Sequence, residues 1–266
     1  MSDGSTAPLI DYRGNCHCGA FKFTFKAPAL KQAYACNCSF CSKNGYLWAF
    51  PATSEDFVVV KGDEDSTLKT YEFGKHTMAH KFCPTCGTSV MARKHSGPGV
   101  GINIRALVDV DTATLEVITS DGAATEPPYQ IPEPLAAGPV AEGTTVYTGS
   151  CHCGAVGYNV QSPEPITVAA ACNCSICHRD AAMWIYVKTT AVSFKGLDSL
   201  VEYTFGLKRT YHGFCGTCGV AINERFPTAD REWRTALNIR TMNGVDLAAI
   251  DLELHDGKAK LPVYQV

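Results

Sequence analysis

Gly14-Asn15-Cys16-His17-Cys18-Gly19-Ala20 returns later in the chain as Gly149-Ser150-Cys151-His152-Cys153-Gly154-Ala155. Ala35-Cys36-Asn37-Cys38-Ser39-Phe40-Cys41 returns as Ala171-Cys172-Asn173-Cys174-Ser175-Ile176-Cys177, and Phe82-Cys83-Pro84-Thr85-Cys86-Gly87 as Phe214-Cys215-Gly216-Thr217-Cys218-Gly219. The leading cysteines of the three motifs stand 135, 136 and 132 residues from their copies. A nearly constant offset of this kind marks one unit duplicated head to tail. Weaker matches carry the frame further: Trp48 with Trp184, Tyr71-x-Phe73-Gly74 with Tyr203-x-Phe205-Gly206, His80 with His212, Asn103-Ile104-Arg105 with Asn238-Ile239-Arg240, Asp121-Gly122 with Asp256-Gly257, and Tyr129-Gln130 with Tyr264-Gln265. Between the copies, Pro127, Pro128, Pro132, Pro134 and Pro139 read as an extended, semi-rigid linker. The boundary is placed near residue 138, giving domains 1–137 and 138–266.

Within each copy the apolar pattern has the period of a strand. Phe21, Phe23 and Phe25 alternate with polar residues, as do Val156, Tyr158 and Val160, while residues 57–60 and 117–119 are β-branched runs. No long apolar stripe of helical period is present. Short helical turns are expected beside the cysteine motifs. The fold class is therefore all-β, in two tandem domains expected to pack on each other as an intramolecular pseudo-dimer.

The 266 residues suit two ordinary domains, and 45% hydrophobic residues are enough for packed cores. A net charge of −3 and a pI near 6.2 argue against a nucleic-acid partner, which calls for a basic face. The opening at residues 1–13 is polar, and no apolar stretch is long enough to span a bilayer. No membrane partner and a cytoplasmic location are expected.

All fourteen cysteines fall in C-x-C, C-x-x-C or C-x-C-x-x-C clusters, seven to each copy. Disulfides would leave one over in each half, whereas four plus three matches what zinc requires: four ligands in a structural site, three plus an exchangeable one in a catalytic site. A C-x-C pair and a distant C-x-x-C pair can close a tetrahedron, so Cys16, Cys18, Cys83 and Cys86 are assigned to one closed site and Cys151, Cys153, Cys215 and Cys218 to its copy. Gly19, Gly87, Gly154 and Gly219 follow these pairs and permit the tight turns such loops need. Cys36, Cys38 and Cys41, with Cys172, Cys174 and Cys177, then form two open sites. Up to two Zn²⁺ per repeat are expected. Three thiolates make zinc a weak Lewis acid, better suited to binding a thiol than to making hydroxide, and a bound thiol is deprotonated. The implied chemistry joins a thiol to a small electrophile, or cleaves a carbon–sulfur bond in reverse. Two alternatives stay open on spacing alone: iron in the closed sites, and a histidine completing the three-cysteine sites as structural ones.

G-x-C-H-C-G-A, C-N-C-S-x-C and F-C-x-x-C-G, in that order, resemble the glutathione-dependent formaldehyde-activating enzyme family, which includes centromere protein V. The resemblance covers nearly all of each half. It implies an Mss4-like β-rich fold in which the first C-x-C joins the last C-x-x-C on a structural zinc and the middle motif holds the catalytic one. It also implies a carbon–sulfur lyase that makes or cleaves S-(hydroxymethyl)glutathione, with glutathione as the thiol and formaldehyde as the electrophile. On that reading Cys36, Cys38, Cys41, Cys172, Cys174 and Cys177 are the catalytic residues. The alternative is a non-catalytic zinc scaffold of the centromere protein V type. Family members are usually single domains; here the domain is doubled, Ser42-Lys43 and His178-Arg179 follow the two middle motifs, and Ala181 replaces Gly45, so the two open sites can differ.

Other repeated residues are weighed on chemistry. His80 and His212 are read first as buried strand histidines and second as proton carriers near the open sites. Asn37 and Asn173 are expected to hydrogen-bond the backbone and thiolates around the metal. Trp48 and Trp184 suit core packing before a pocket wall. Arg105 and Arg240 suit a surface or interdomain ion pair before a fork for a glutathione carboxylate.

Overall fold

A computed structural model describes residues 7–260 and 262–266; the first half of the polar opening, residues 1–6, lies outside the described residues. The first half contains strands β1 (Leu9–Asn15), β2 (Lys22–Pro28), β3 (Gln32–Cys36), β4 (Trp48–Ala49), β5 (Phe57–Lys61), β6 (Lys69–Tyr71), β7 (Met78–Phe82), β8 (Ser89–Lys94), β9 (Val100–Asn103) and β10 (Glu116–Ser120). The second repeats them as β11 (Thr145–Ser150), β12 (Gly157–Ser162), β13 (Val168–Cys172), β14 (Met183–Lys188), β15 (Val192–Lys195), β16 (Leu200–Tyr203), β17 (Tyr211–Cys215), β18 (Ala221–Arg225), β19 (Arg234–Asn238) and β20 (Asp251–His255). One short α-helix interrupts each half at the middle cysteine motif: α1 (Ser39–Asn44) and α2 (Ser175–Asp180).

Each half carries two sheets. A three-stranded sheet runs β1-β2-β5, copied as β11-β12-β15, and a seven-stranded one runs β10-β3-β4-β9-β8-β7-β6, copied as β20-β13-β14-β19-β18-β17-β16. The order is the same in both halves, so the all-β reading and the duplication are both seen in the fold. The closing strand of each half, β10 or β20, lies parallel to β3 or β13; the other pairings are antiparallel. The period-two pattern does what alternation requires. In β2, Phe23, Phe25 and Ala27 point into the core while Lys22, Thr24 and Lys26 do not. Tyr158 and Val160 of β12 are wholly buried.

Register slips in the same place in each half, between Lys81 and Phe82 and between Gly213 and Phe214. These bulges immediately precede Cys83 and Cys215. A bulge re-aims the side chains beyond it, here at the end of the strand that delivers the C-x-x-C pair.

The cores are not separate. One buried cluster runs from Phe40, Tyr46 and Trp48 of the first half into Cys151, Val156 and Tyr158 of the second. The linker lies along the second half, where Asn159 Nδ2 donates to the carbonyls of Leu135 and Ala136. No helix among the described residues is long and apolar enough to cross a membrane.

Candidate metal centres

The sulfur atoms of Cys16, Cys18, Cys83 and Cys86 lie within 4.8 Å of one another, as do those of Cys151, Cys153, Cys215 and Cys218. Cys16 and Cys18 come from the turn between β1 and β2, Cys83 and Cys86 from the turn between β7 and β8. Glycine closes each turn: Gly19, Gly87, Gly154 and Gly219 have φ of 70°, 75°, 78° and 76°, a region in which a side chain is strained. The sulfur spacings test the fit to metal. Cys16 and Cys18 are 3.6 Å apart, Cys18 and Cys83 3.6 Å, Cys151 and Cys153 3.5 Å, and Cys153 and Cys215 3.6 Å. Thiolates about 2.3 Å from a tetrahedral zinc would be about 3.8 Å apart, whereas a disulfide holds sulfurs at about 2.05 Å. All fourteen cysteines are free. The donor sets fit metal.

The middle motifs form two trios, Cys36 with Cys38 and Cys41, and Cys172 with Cys174 and Cys177, each also within 4.8 Å. Local folding explains them. Cys36 ends β3, Cys38 is the N-cap of α1 in extended conformation, and Cys41 lies in the first turn. Orphan N–H groups at the start of the helix therefore point at sulfur. Cys38 N donates to Cys36 Sγ at 3.5 Å, and Cys41 N to Cys38 Sγ at 3.5 Å; Cys174 N donates to Cys172 Sγ at 3.4 Å. Hydrogen bonds from Cys38 and then Cys41 pull Cys36 down to about 2, and those from Cys174 and Cys177 do the same for Cys172. Cys41 and Cys177 are pushed well up by the thiols beside them and by burial. Each trio thus presents one readily ionised sulfur at its more exposed end.

Gly122 and Gly257 close over these sulfurs. A Cβ on Gly122 would stand 2.2 Å from Cys36 Sγ, and one on Gly257 2.4 Å from Cys172 Sγ. Asn37 and Asn173 hold those glycine loops in place. Their Nδ2 atoms donate to Asp121 and Asp256 at 2.9 Å, and their Oδ1 atoms accept from Ala123 N and Lys258 N at 2.8 Å. The expected backbone role is met, but both amides are used on the loop rather than on a thiolate.

The centres of the two halves interlock. His17, between the closed-site ligands of the first half, shares hydrogen bonds with Ser175 Oγ of α2 and Tyr203 OH of β16, both at 2.9 Å. His152 repeats this with Ser39 Oγ at 2.9 Å and Tyr71 OH at 2.8 Å. Each closed site is seated on the other half's open site. Lys43 and Arg179, the basic residues after the trios, also reach across: Lys43 Nζ donates to the carbonyls of Ser150 and Thr241 at 3.3 Å, and Arg179 Nε to that of Asn15 at 3.4 Å. Arg105 and Arg240 are committed there too. Arg105 Nε donates to Gly45 O at 2.8 Å and Arg240 Nε to Ala181 O at 2.7 Å, and their other nitrogens reach His178 O and Ser42 O. Both arginines reach across the halves, but to the carbonyls of His178 and Ser42 rather than to carboxylates, so the expected ion pair is not formed.

The two trios differ in their neighbours. At Cys177, Trp184 Nε1 donates to the sulfur at 3.2 Å and the thiol donates to Glu224 Oε1 at 3.7 Å. His212 Nδ1 lies 3.3 Å from the same carboxylate oxygen. Burial and then the charge on Cys172 push Glu224 up to about 8. Trp184 is therefore both core and site, and His212 faces a trio rather than resting as a satisfied strand histidine. Its counterpart His80 packs edge-on to Phe40 with Nδ1 buried and unpartnered. Glu224 escaped the sequence reading because the equivalent position, opposite His80 in β8, is Ala92. The repeat highlights what matches, and the signal here was the mismatch. The second-half trio borders a cleft of about 1840 Å³, walled also by residues 107–111 of the first half.

Comparison with known proteins bears on both halves. The profile of the family described as glutathione-dependent formaldehyde-activating enzyme matches residues 11–117 and again 146–251. A crystal structure of a Rhodobacter sphaeroides protein is 26% identical over 40% of this chain and 99% of its own, with a TM-score of 0.36. With both cysteine-rich halves matched by one profile, the chain belongs to the glutathione-dependent formaldehyde-activating enzyme family, in two tandem copies.

Proposed function

We propose that the protein is a zinc-dependent carbon–sulfur lyase acting on a thiol adduct, of the S-(hydroxymethyl)glutathione synthase type. The observation that carries this reading is the opening of the second-half trio into a cleft large enough for a small thiol. Cys172, Cys174 and Cys177 would hold a zinc ion, which when bound would offer a place for a substrate thiol and favour its deprotonated form. In the forward direction the thiol sulfur bonds to the aldehyde carbon and the thiol proton ends on the aldehyde oxygen; the reverse step breaks that bond and returns the proton.

The protein's own residues arrange this. Gly257 lets the cleft wall approach Cys172, and Trp184 Nε1 fixes Cys177 by its hydrogen bond. Glu224 Oε1, 3.7 Å from Cys177 Sγ and on the cleft wall, can hold a proton beside the trio. The four-cysteine sites fix the frame: binding a structural zinc contributes on the order of 10–16 kcal/mol at neutral pH.

Replacing Cys36, Cys38, Cys41, Cys172, Cys174 and Cys177 together by serine tests the reading. The expected product is a folded protein holding about two zinc ions, one for each four-ligand set, with no turnover of S-(hydroxymethyl)glutathione. Retained turnover refutes it. A second reading, a zinc scaffold without activity, finds support in the first half, where Cys38 and Cys41 sit in one packed cluster with Phe40, Tyr46 and Trp48. A cadmium-substituted protein whose spectrum ignores added glutathione decides for the scaffold.

A further inference from the structure

The surroundings of the two trios diverge at positions the repeat leaves unmatched. In the first half Tyr46 is 3% exposed and stacks on Trp48 with ring centroids 4.4 Å apart, inside the cluster that buries Cys38 and Cys41. The second half has Ala182 where Tyr46 stands, Ile176 for Phe40 and Glu224 for Ala92. Ala182 packs with Ile176, Cys177, Trp184 and Phe226 in a separate cluster, and the cleft of about 1840 Å³ opens at this trio, on Cys172, Cys174 and Cys177.

The loop after Glu224 differs as well. Residues 226–233 join β18 to β19, a longer connection than residues 95–99 between β8 and β9. It carries Arg231, and β19 opens on Arg234; both line the cleft together with Cys172 and Glu224. Each guanidinium is braced on aromatic rings. Arg231 sits 5.0 Å above Phe226, and Arg234 sits 5.0 Å from Phe226 and 5.1 Å from Tyr186. The arginine–carboxylate pairs among the described residues engage Arg13, Arg93 and Arg225, and neither of these two. Both Nε atoms are buried without a hydrogen-bond partner, and of the two side chains only Arg231 makes a hydrogen bond, from Nη2 to the carbonyl of Arg209 at 2.9 Å. A guanidinium with a buried, unpaired N–H is held at a cost in free energy. Held in place on a cleft wall, it has the fork geometry that takes a carboxylate through two hydrogen bonds. The other conspicuous arginines, Arg105 and Arg240, are engaged by carbonyls at the helix ends of both halves.

Resting on the thiol-adduct reading above, we infer that substrate binding belongs to the second half alone, where Arg231 and Arg234 select a small thiol bearing a carboxylate, while the first-half trio serves as a built-in scaffold. Duplication then has a physical use. The working cleft needs a wall, residues 107–111, that a lone copy cannot supply to itself.

Cobalt-loaded full-length protein provides the test, because its absorption bands respond when a thiol joins the metal's ligands. The probes are 3-mercaptopropionate and 2-mercaptoethanol, which share a thiol arm and differ in the carboxylate. Titration is expected to saturate at about one 3-mercaptopropionate per chain, as one open trio requires. It should bind about tenfold or more tighter than 2-mercaptoethanol, the value of a charge-assisted contact. Arg231→Gln combined with Arg234→Gln should level the two affinities, and Ala182→Tyr, which copies the first half's ring, should remove the response. Saturation at two per chain overturns the assignment to one half. Equal affinity for the two thiols in the unmodified protein overturns the role of the arginines. If neither thiol changes the spectrum, the thiol-adduct reading itself fails, and this inference with it.

Discussion

His17 Nε2 and Ser175 Oγ share a hydrogen bond of 2.9 Å although 158 residues separate them. The histidine lies inside the closed cysteine site of one half, the serine in the first turn of the helix that carries the other half's open site. The ring is buried at 1% exposure and also meets Tyr203 OH, while Tyr264 OH donates to its backbone carbonyl.

His17→Ala therefore strands two half-buried hydroxyls of the opposite half and leaves a hole between the centres. A loss of about 2–4 kcal/mol in urea unfolding is expected, from one unsatisfied hydrogen-bond network and one cavity. Zinc content should stay unchanged, because Cys16 and Cys18 keep their turn. A variant as stable as the parent would show that the halves do not depend on this link.

The duplication, the strand periods and the grouping of cysteines were legible in the sequence because they are local or repeated. Phe23 and Phe25 alternate inward, and C-x-C needs only one turn to bring two sulfurs together. The junction was not legible. His17 meets Ser175 only because two curved surfaces dock, and nothing near either residue encodes that encounter. Arg105 suited an ion pair before a ligand carboxylate, and only the fold shows that its partners are instead the carbonyls of Gly45 and His178. Glu224, Arg231 and Arg234 stand at or beside positions where the repeat fails, and a comparison of copies reads such places as drift.

Gly122→Ala and Gly257→Ala separate the open centres from the closed ones. The added methyl would lie 2.2 Å from Cys36 Sγ in one case and 2.4 Å from Cys172 Sγ in the other, so the sulfur must leave its place in the trio. Each substitution is expected to lower the metal content by about one zinc per chain while the four-cysteine sites stay filled. Metal analysis after desalting checks this, and full occupancy in both variants would refute the close approach.

His80 gives a pH dependence whose sign is fixed. Burial lowers its pKa from 6.5 to about 4, so the unfolded chain takes up the proton more readily than the folded one. The stability contributed by the neutral ring is complete above pH 6.5, falls as pH drops through that value, and is gone by about 4, where the folded form also protonates. The shift corresponds to roughly 3 kcal/mol. His80→Phe suits a site already walled by Phe40 and Phe73 and should remove this component. Comparing the two proteins cancels the acid release of zinc common to both. Parallel stability curves between pH 7 and 4 would contradict the assignment.

Arg240→Ala should act on stability rather than on substrate. Its guanidinium donates to Ala181 O and Ser42 O at the end of two helices; Ser42 O also accepts from Gly45 N, so removing the side chain costs Ala181 O its partner, about 1–3 kcal/mol. The lowered denaturation midpoint should come with an unchanged KM for the thiol. A raised KM at unchanged stability would return Arg240 to the role of ligand fork.

The helix ends meet at Gly45 and Ala181, and there the two halves cannot be alike. Both residues are C-caps in the left-handed region, with φ of 54° and 49°. A Cβ on Gly45 would lie 2.4 Å from Ala181 Cβ and 3.0 Å from the Arg240 guanidinium. Only one of the two caps can carry a methyl. Gly45→Ala is expected to cost about 2–4 kcal/mol, combining overpacking with left-handed strain. Ala181→Gly relieves the existing strain and should be neutral or stabilising by up to about 1 kcal/mol. The double variant, with the methyl moved from one cap to the other, rebuilds a single-methyl junction and should recover most of the loss. A coupling of about 2 kcal/mol between the two sites follows, within the range for residues in contact. Urea unfolding of the four proteins measures it, and strictly additive effects would show that the caps do not touch in solution.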